Sequence, residues 1–216
     1  MKNLKVIVCI IILFAGCKKK TEPSFYKISD EIKSYGDFKI GSYWIYKNDS
    51  LNIEDSIYVD NYTFRIDETI PNISTGRVES RYEVLSCECK NLQLTHNLNY
   101  DARGFDDYLT IIERDLTKNI MWNINFFNSN PTENIENIIV KNIDTITIFN
   151  TKYNNIIYQK TIVTTYDYHN GDGINTIHTK DTTEYWLAKN VGVIKRIVKN
   201  SYYREEWNLL RYNVVQ

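Results

Sequence analysis

The 216-residue chain has little of what marks disordered, cross-linked or nucleic-acid-binding proteins. It contains only 8 glycines and 3 prolines, which excludes a disordered or repeat-linker protein. Its 4 cysteines form no spread disulfide framework, so the fold depends on a hydrophobic core. The 26 basic residues are balanced by 27 acidic ones, and nucleic-acid binding needs a basic surface. We therefore predict no nucleic-acid partner.

Sequence motifs of known catalytic mechanisms are also missing. The chain has no Gly-x-Ser-x-Gly, no His-Glu-x-x-His and no glycine-rich phosphate loop. Its only histidines are His96, His169 and His178. The acidic pairs Asp106-Asp107 and Glu205-Glu206 are adjacent, so in a strand their carboxylates point to opposite faces. We predict that the protein is not an enzyme and has no catalytic residues and no cofactor.

A long membrane-spanning segment is absent, but the chain begins with the three parts of an export signal. Lys2 and Lys5 provide positive charge, Val6–Phe14 is apolar, and Ala15-Gly16 supplies small residues before a cleavage site. The apolar run is about half of the ~20 residues that a transmembrane helix needs. We therefore predict a cleaved signal peptide over residues 1–16.

The tetrapeptide Phe14-Ala15-Gly16-Cys17 resembles the lipobox of bacterial lipoproteins. It departs from that motif at Phe14, where leucine is usual. The resemblance implies that the Cys17 thiol receives diacylglycerol, that cleavage follows Gly16, and that the new amine is acylated, for example with palmitate. Two or three acyl chains give stable membrane attachment. The alternative is an ordinary secretory signal followed by a chance cysteine.

The residue after the lipidated cysteine bears on localisation. In lipoproteins of this type, aspartate at that position often means retention in the inner membrane. Lys18 stands there instead, so the resemblance implies a cell outer membrane location. Whether the domain faces the periplasm or the outside stays open.

The mature chain is predicted to be all-β. Its 17 tyrosines, with many Ile, Val and Thr residues, favour strands. One helical turn is expected between Phe25 and Phe38, with Ser29 or Asp30 as its N-cap. We assign residues 17–37 to the lipidated cysteine and its tether, and residues 38–216 to one all-β domain.

About ten strands follow one another with short connections, which favours antiparallel pairing into a single domain. Such a sheet forms a curved sheet or half-barrel, or else a sandwich. The main predicted strands are Ser42–Tyr46, Asp55–Asp67, Asp107–Leu116, Ile120–Phe126, Ile138–Phe149, Tyr153–Tyr168, Asn175–Ala188, Val191–Lys199 and Tyr202–Val215.

Three local features complete the predicted strand pattern. Tyr62, Phe64 and Ile66 alternate with polar residues, as on the covered face of a half-buried strand. The segment Asn150–Lys152 is predicted as a turn between two long strands. The segment His169–Gly173 is the strongest turn signal in the chain.

A hairpin is predicted around Lys90-Asn91, because asparagine tolerates the backbone that two-residue turns require. In this register Cys89 faces Leu92, Cys87 faces Leu94 and Leu85 faces His96. All six residues then share one apolar face.

Cys87, Cys89 and His96 together are compatible with a site for a soft metal. Leucines surround the group and a fourth ligand is not evident, so we predict buried thiols, a core histidine and no metal. A disulfide between Cys87 and Cys89 would be strained, because alternate strand residues lie ~6.6 Å apart.

Two other patterns have a functional and a structural interpretation. The segment Asn170–Gly173 resembles part of a calcium loop but lacks its first and last carboxylates, so a hairpin turn is favoured. The four tryptophans are compatible with sugar stacking or with core packing. They are Trp44, Trp122, Trp186 and Trp207.

Five further segments resemble a broad class of uncharacterised Gram-negative outer-membrane lipoproteins. They are Gly41–Tyr46, Tyr153–Ile157, Tyr185–Ala188, Val191–Arg196 and Glu206–Leu209 with Tyr212. In that class these segments are strands of a curved antiparallel sheet. The expected function is non-enzymatic: a Cys17-anchored lipoprotein that binds an apolar ligand, such as a lipid, or a protein partner. The alternative is a surface glycan-binding module of a nutrient-uptake system.

Overall fold

The computed structural model describes residues 22–70, 78–92, 96–105, 108–115, 120–126, 135–168, 175–199 and 202–216. These residues form twelve β-strands and one short helix, which confirms the predicted all-β class. The elements are β1 (Ser24–Tyr26), α1 (Asp30–Gly36), β2 (Tyr43–Asn48), β3 (Ile53–Thr69), β4 (Ser80–Asn91), β5 (His96–Arg103), β6 (Tyr108–Asp115), β7 (Ile120–Phe126), β8 (Ile135–Ile148), β9 (Thr151–Tyr168), β10 (Asn175–Ala188), β11 (Gly192–Lys199) and β12 (Arg204–Asn213).

Eleven strands form one antiparallel sheet that does not close. Its order is β7-β6-β5-β4-β3-β2-β12-β11-β10-β9-β8, and β1 pairs with β4 outside this path. Most neighbours in the sheet are consecutive in the chain, as short connections favour. The exception is β2 with β12, which joins the two ends of the domain and leaves β7 and β8 at opposite ends of the order.

The described residues belong to two compact units. The smaller unit contains residues 22–25, 68–70 and 78–81. Within it, the Ser24 amide donates to the Glu79 carbonyl at 3.2 Å. The larger unit runs over residues 26–67 and 82–216 and holds the helix and the hydrophobic core.

The short helix α1 forms where the sequence predicts it, and Ser29 is its N-cap. The Ser29 hydroxyl accepts a hydrogen bond from the Ile32 amide at 3.2 Å, which satisfies one free amide of the first turn. Ile28, Ile32 and Tyr35 are buried in the core. Packing therefore begins inside the segment 17–37 that the sequence assigned to the tether.

The sheet of the larger unit is curved, as its internal contacts require. Tyr100 of β5 accepts a hydrogen bond through its hydroxyl from the Val193 amide of β11 at 3.4 Å. These strands are five steps apart in the sheet order, about 24 Å if the sheet were flat. The Trp44 indole also donates to the Val191 carbonyl at 2.6 Å. The predicted curved antiparallel sheet is therefore confirmed.

Aromatic rings fill the inside of this curve. The Phe38 ring meets Trp44 edge-on at 5.1 Å and Tyr100 edge-on at 5.2 Å between ring centres. All three residues have no exposed surface, and each such side chain contributes about 1.5–3 kcal/mol when buried. The other large, fully buried side chains are Leu85, Leu109, Ile111, Ile156, Tyr185, Leu187 and Ile194.

The predicted register of the β4–β5 hairpin is wrong. Cys89 pairs with Leu98 and Cys87 with Tyr100, six residues beyond the partners that a Lys90-Asn91 turn would give. Asn91 is instead the last residue of β4 and is buried, and its side-chain amide donates to Asp55 at 3.2 Å. The shift is an even number of residues, so the cysteines still share a face with apolar partners.

Two smaller predictions also need correction. Phe64 and Ile66 of β3 are 45% and 55% exposed, so this part of the strand is not half-buried; the buried positions are Ile57 and Val59. The predicted turn at Asn150–Lys152 lies one residue too late, because Ile148 already pairs with Thr151. The turn residues are Phe149 and Asn150.

Candidate functional site

Several features singled out in the sequence lie outside the described residues. These are Cys17 and the turn His169–Gly173, although Tyr168 and Asn175 pair on either side of that turn. His96, Trp122 and His178 lie on β5, β7 and β10, where the structure describes their backbone only.

The two thiols of β4 lie in the core. Cys87 and Cys89 have no exposed surface, and their Sγ atoms are 3.7 Å apart, far beyond the ~2.05 Å of a disulfide. Burial, together with the hydrogen bond to Cys87, raises the pKa of the Cys89 thiol. Metals bind the thiolate, which this environment disfavours. Among the described residues, no three His, Cys, Asp or Glu side chains come together as a metal site.

A narrow cleft lies inside the curved sheet and is lined by residues from six strands. The lining residues are Tyr46, Asp55, Ile57, Leu98, Tyr185, Val193, Arg196 and Trp207. It contains about 310 Å³ of empty space, including solvent at its mouth, but only about 10 Å³ admits the centre of a water molecule. That is room for about one water, so the cleft accommodates neither an acyl chain nor a sugar ring.

Arg196 is the buried charge of this cleft and is only 8% exposed. Its guanidinium lies 5.7 Å from the centre of the Trp207 ring, a cation–π geometry. Burial lowers the pKa of Arg196, and the nearby Tyr46, Glu205 and Asp55 oppose that shift. The cleft therefore combines a cation, a carboxylate and aromatic walls, which suits it to hold water or one small polar group.

Arg196 was not predicted as a residue of the interior. The sequence feature that could have identified Arg196 is its position in β11. Ile194, Arg196 and Val198 are two residues apart and therefore lie on one face of the strand. The register confirms this position, because Arg196 pairs with Tyr185 on one side and Trp207 on the other. An arginine in an apolar row is the pattern that predicts a buried cation.

The described tryptophan side chains have few open ring faces. Trp44 is fully buried and Trp207 is 7% exposed. Trp186 is half-buried and lies between Tyr158 and Lys195 on the two adjacent strands. Its ring centre is 4.8 Å from that of Tyr158 and 5.2 Å from the Lys195 ammonium. A sugar could stack on Trp186 only if one of these neighbours moved.

The adjacent carboxylates Glu205 and Glu206 diverge, as the strand geometry predicts. Glu206 accepts hydrogen bonds from Lys195 and Arg204, each at 2.6 Å, and the Lys195 bond makes the largest contribution to lowering its pKa. Glu205 instead accepts from the Trp207 indole, at 3.4 Å. The two carboxylates therefore do not face a common substrate position.

Within the described parts of the chain, no helix has the length and apolar character needed to cross a membrane. No protein-family model matches the sequence, and no curated protein or solved structure is significantly similar to it.

Proposed function

We propose that this chain is a lipid-anchored, non-catalytic binding protein of a bacterial outer membrane. The support for the anchor is the sequence Phe14-Ala15-Gly16-Cys17 at the end of an apolar run. The attachment point is Cys17, and no cofactor takes part. The domain acts by contact with another protein.

The packed interior is the reason for proposing a protein partner rather than an apolar ligand. The concave side of the described sheet is occupied by Phe38, Trp44 and Tyr100, all fully buried. The cleft beside Arg196 has room for about one water. A carrier of acyl chains needs an empty apolar cavity of several hundred Å³. The part of the interior that the structure describes therefore supports binding at the surface.

One surface patch supports contact with a protein. Ile40, Tyr43 and Val215 are 65%, 41% and 39% exposed and form what we call the terminal patch. The Val215 amide donates to the Ser42 hydroxyl and its carbonyl accepts from the Lys39 amide, both at 2.9 Å. These bonds hold Val215 beside the segment that carries Ile40 and Tyr43. Exposed apolar residues on neighbouring segments are typical of sites of protein contact.

The glycan-binding alternative has weaker support. It requires open aromatic faces, whereas Trp44 and Trp207 are buried and Trp186 is flanked by Tyr158 and Lys195. Protein contact makes no such demand on the tryptophans.

The anchor is tested by metabolic labelling of the full chain with an alkyne fatty acid in a Gram-negative host. We expect label on the wild-type protein and its loss in Cys17→Ser, because the serine hydroxyl does not accept the diacylglycerol. Cys9→Ser is the matched control and should stay labelled. Label that persists in Cys17→Ser would disprove the assigned anchor, as would an unlabelled wild-type chain.

The mode of binding is tested by native mass spectrometry of the fragment Thr21–Gln216, purified gently from cells. We expect the mass of one or two polypeptides with no added ligand, because the described interior is filled by the chain's own side chains. Added mass equal to a fatty acid or phospholipid would show an enclosed apolar ligand and overturn the protein-partner assignment. Added mass equal to an oligosaccharide would favour the glycan-binding alternative.

A further inference from the structure

The open sheet has two edges, and they differ in how well they are protected. The edges are β7, which pairs with β6, and β8, which pairs with β9. No other described strand pairs with their outer sides. An unpaired edge presents a row of free amides and carbonyls, and proteins usually protect it with charges, proline or bulges.

The β8 edge carries such protection. Its 14 residues include Glu136, Lys141 and Asp144. Its pairing with β9 is interrupted by a register shift between Ile135 and Asn137, which twists the edge. An added strand would meet charge and an irregular backbone along this edge.

The β7 edge carries none of these features. Its seven residues, Ile120–Phe126, include no charged residue, proline or glycine. Its pairing with β6 is regular from the pair of Leu109 with Phe126 to the pair of Asp115 with Ile120. A regular, uncharged strand of this composition is the kind that recruits another strand.

The sequence of β7 allows two copies of the strand to pair with each other in antiparallel orientation. When two copies pair about Asn123, all seven residues find a partner, which no other antiparallel register of β7 with itself achieves. Ile120 then faces Phe126 and Trp122 faces Ile124, so the partners on this face are all apolar. On the other face Met121 meets Asn125, and Asn123 meets the Asn123 of the second copy. Antiparallel partners share a face, and each copy's Ile124 and Phe126 also pair with Ile111 and Leu109 in β6, which are fully buried.

We infer that two copies of this chain associate through antiparallel pairing of their β7 strands about Asn123. The two sheets become one continuous sheet with two-fold symmetry. Each copy satisfies the edge amides and carbonyls of the other, and the occupant is a second copy because the match is self-complementary. This inference is independent of the proposed anchor and of the proposed protein partner.

The test uses two differently tagged full-length chains, co-expressed and extracted in mild detergent, with pull-down through one tag. The wild-type copies are expected to co-purify. With Asn123→Lys in both copies, two ammonium groups stand directly opposite each other, and the recovered fraction should fall by about fivefold. Asn123→Asp in both copies should give a similar loss.

The mixed pair, Asn123→Lys in one copy and Asn123→Asp in the other, should restore co-purification to at least the wild-type level. This recovery also shows that the variants fold. Thr145→Lys in both copies adds the same charge to an exposed position of the β8 edge and should change nothing.

Three results would overturn the inference. If the wild-type copies do not co-purify, the β7 edge does not bind a second copy. This holds even if Asn123→Lys causes the loss of a different bound protein. Unchanged association in the double-lysine pair would place the contact elsewhere. Failure of the lysine–aspartate pair to recover would exclude the register about Asn123. None of these results bears on lipid labelling of Cys17 or on whether the fragment carries a small-molecule ligand.

Discussion

Gly192 is a residue at which one additional carbon atom meets both backbone strain and a packed core. It lies at the start of β11 with φ of +92°, a backbone conformation that side chains disfavour. A Cβ built there would lie 3.1 Å from a Phe38 ring carbon and 3.1 Å from the Tyr100 hydroxyl. Both neighbours are fully buried and have little freedom to move.

We predict that Gly192→Ala lowers the free energy of unfolding by about 2–5 kcal/mol, from backbone strain plus core overpacking. Gly41→Ala is the matched control, because Gly41 also has positive φ, +101°, but its new Cβ would meet only Val215 at 3.5 Å. The control should lose about 1–2 kcal/mol from strain alone. Urea denaturation measures both values, and equal losses would contradict the packing described around Gly192.

Single residues also mark how far the sequence could predict the interior. Ser29 was one of two predicted helix caps, with Asp30, because capping depends on local chemistry, and the Ile32 amide bonds to Ser29. Arg196 was missed because its role depends on the pairing register with Trp207 of the next strand and on Asp55, which is distant in the chain. A local motif is visible in one sequence, whereas a cleft requires the register of six strands.

The turn of the β8–β9 hairpin contains a residue that disfavours the backbone conformation of the turn. Phe149 and Asn150 both have positive φ, 45° and 68°, as in a two-residue type I′ turn. Asparagine tolerates this conformation, but a residue such as phenylalanine is strained by about 1–2 kcal/mol. Phe149 is also 39% exposed, so the apolar contact that its replacement removes offsets only part of the relieved strain.

We predict that Phe149→Asn raises the free energy of unfolding by about 0.5–1 kcal/mol and the melting temperature by about 1–4 °C. Thr147→Asn is the control, since Thr147 is exposed in the extended part of β8, where asparagine is unfavourable. Thermal unfolding followed by circular dichroism compares the two variants. If Phe149→Asn melts no higher than Thr147→Asn, the turn does not carry the strain inferred here.

The β4–β5 hairpin shows why elements are easier to predict than their pairing. The alternation of apolar residues identified both strands and the face that Cys87 and Cys89 occupy. Moving the pairing by six residues preserves that alternation, so the pattern could not distinguish the two registers. What decided it was tertiary: buried Asn91 donates to Asp55 of β3 and therefore stays in the strand.

At the scale of the whole molecule, the composition predicted the fold class well. Many tyrosine, isoleucine and threonine residues and short connections indicated one antiparallel sheet, and the sheet order confirms it. The choice between a curved sheet and a sandwich was open, because curvature depends on contacts such as that of Tyr100 with Val193. Those contacts join strands that are far apart in the sheet order and leave no local pattern.

The same curvature buries tyrosine hydroxyls, and this makes the fold sensitive to alkali. Burial raises the pKa of Tyr46, Tyr100 and Tyr185 above the ordinary value of 10.0. In the unfolded chain these phenols ionise near that ordinary value, whereas in the folded chain they stay neutral. Their contribution to stability is therefore complete below about pH 10 and is lost as the pH rises toward the folded-state pKa values.

We predict cooperative unfolding between about pH 10 and pH 12. Above pH 10, each buried tyrosine reduces the free energy of unfolding by about 1.4 kcal/mol per pH unit, or about 4 kcal/mol for the three together. Two pH units then remove about 8 kcal/mol, which is comparable to the total stability of a typical domain. The part of the tyrosinate absorbance that comes from these three buried phenols should rise together with the loss of far-ultraviolet circular dichroism, because they ionise only as the sheet opens.

Two variants separate this cause from general alkaline damage. Tyr185→Phe removes one buried phenol, so the fall of unfolding free energy with pH should become shallower by about one third. Tyr202→Phe removes a phenol that is 85% exposed and should leave the slope unchanged. If the buried tyrosines ionised while the circular dichroism stayed constant, solvent would have access to the interior. That result would also exclude a tightly packed core. Binding at the surface, rather than around an enclosed ligand, is proposed because of that core.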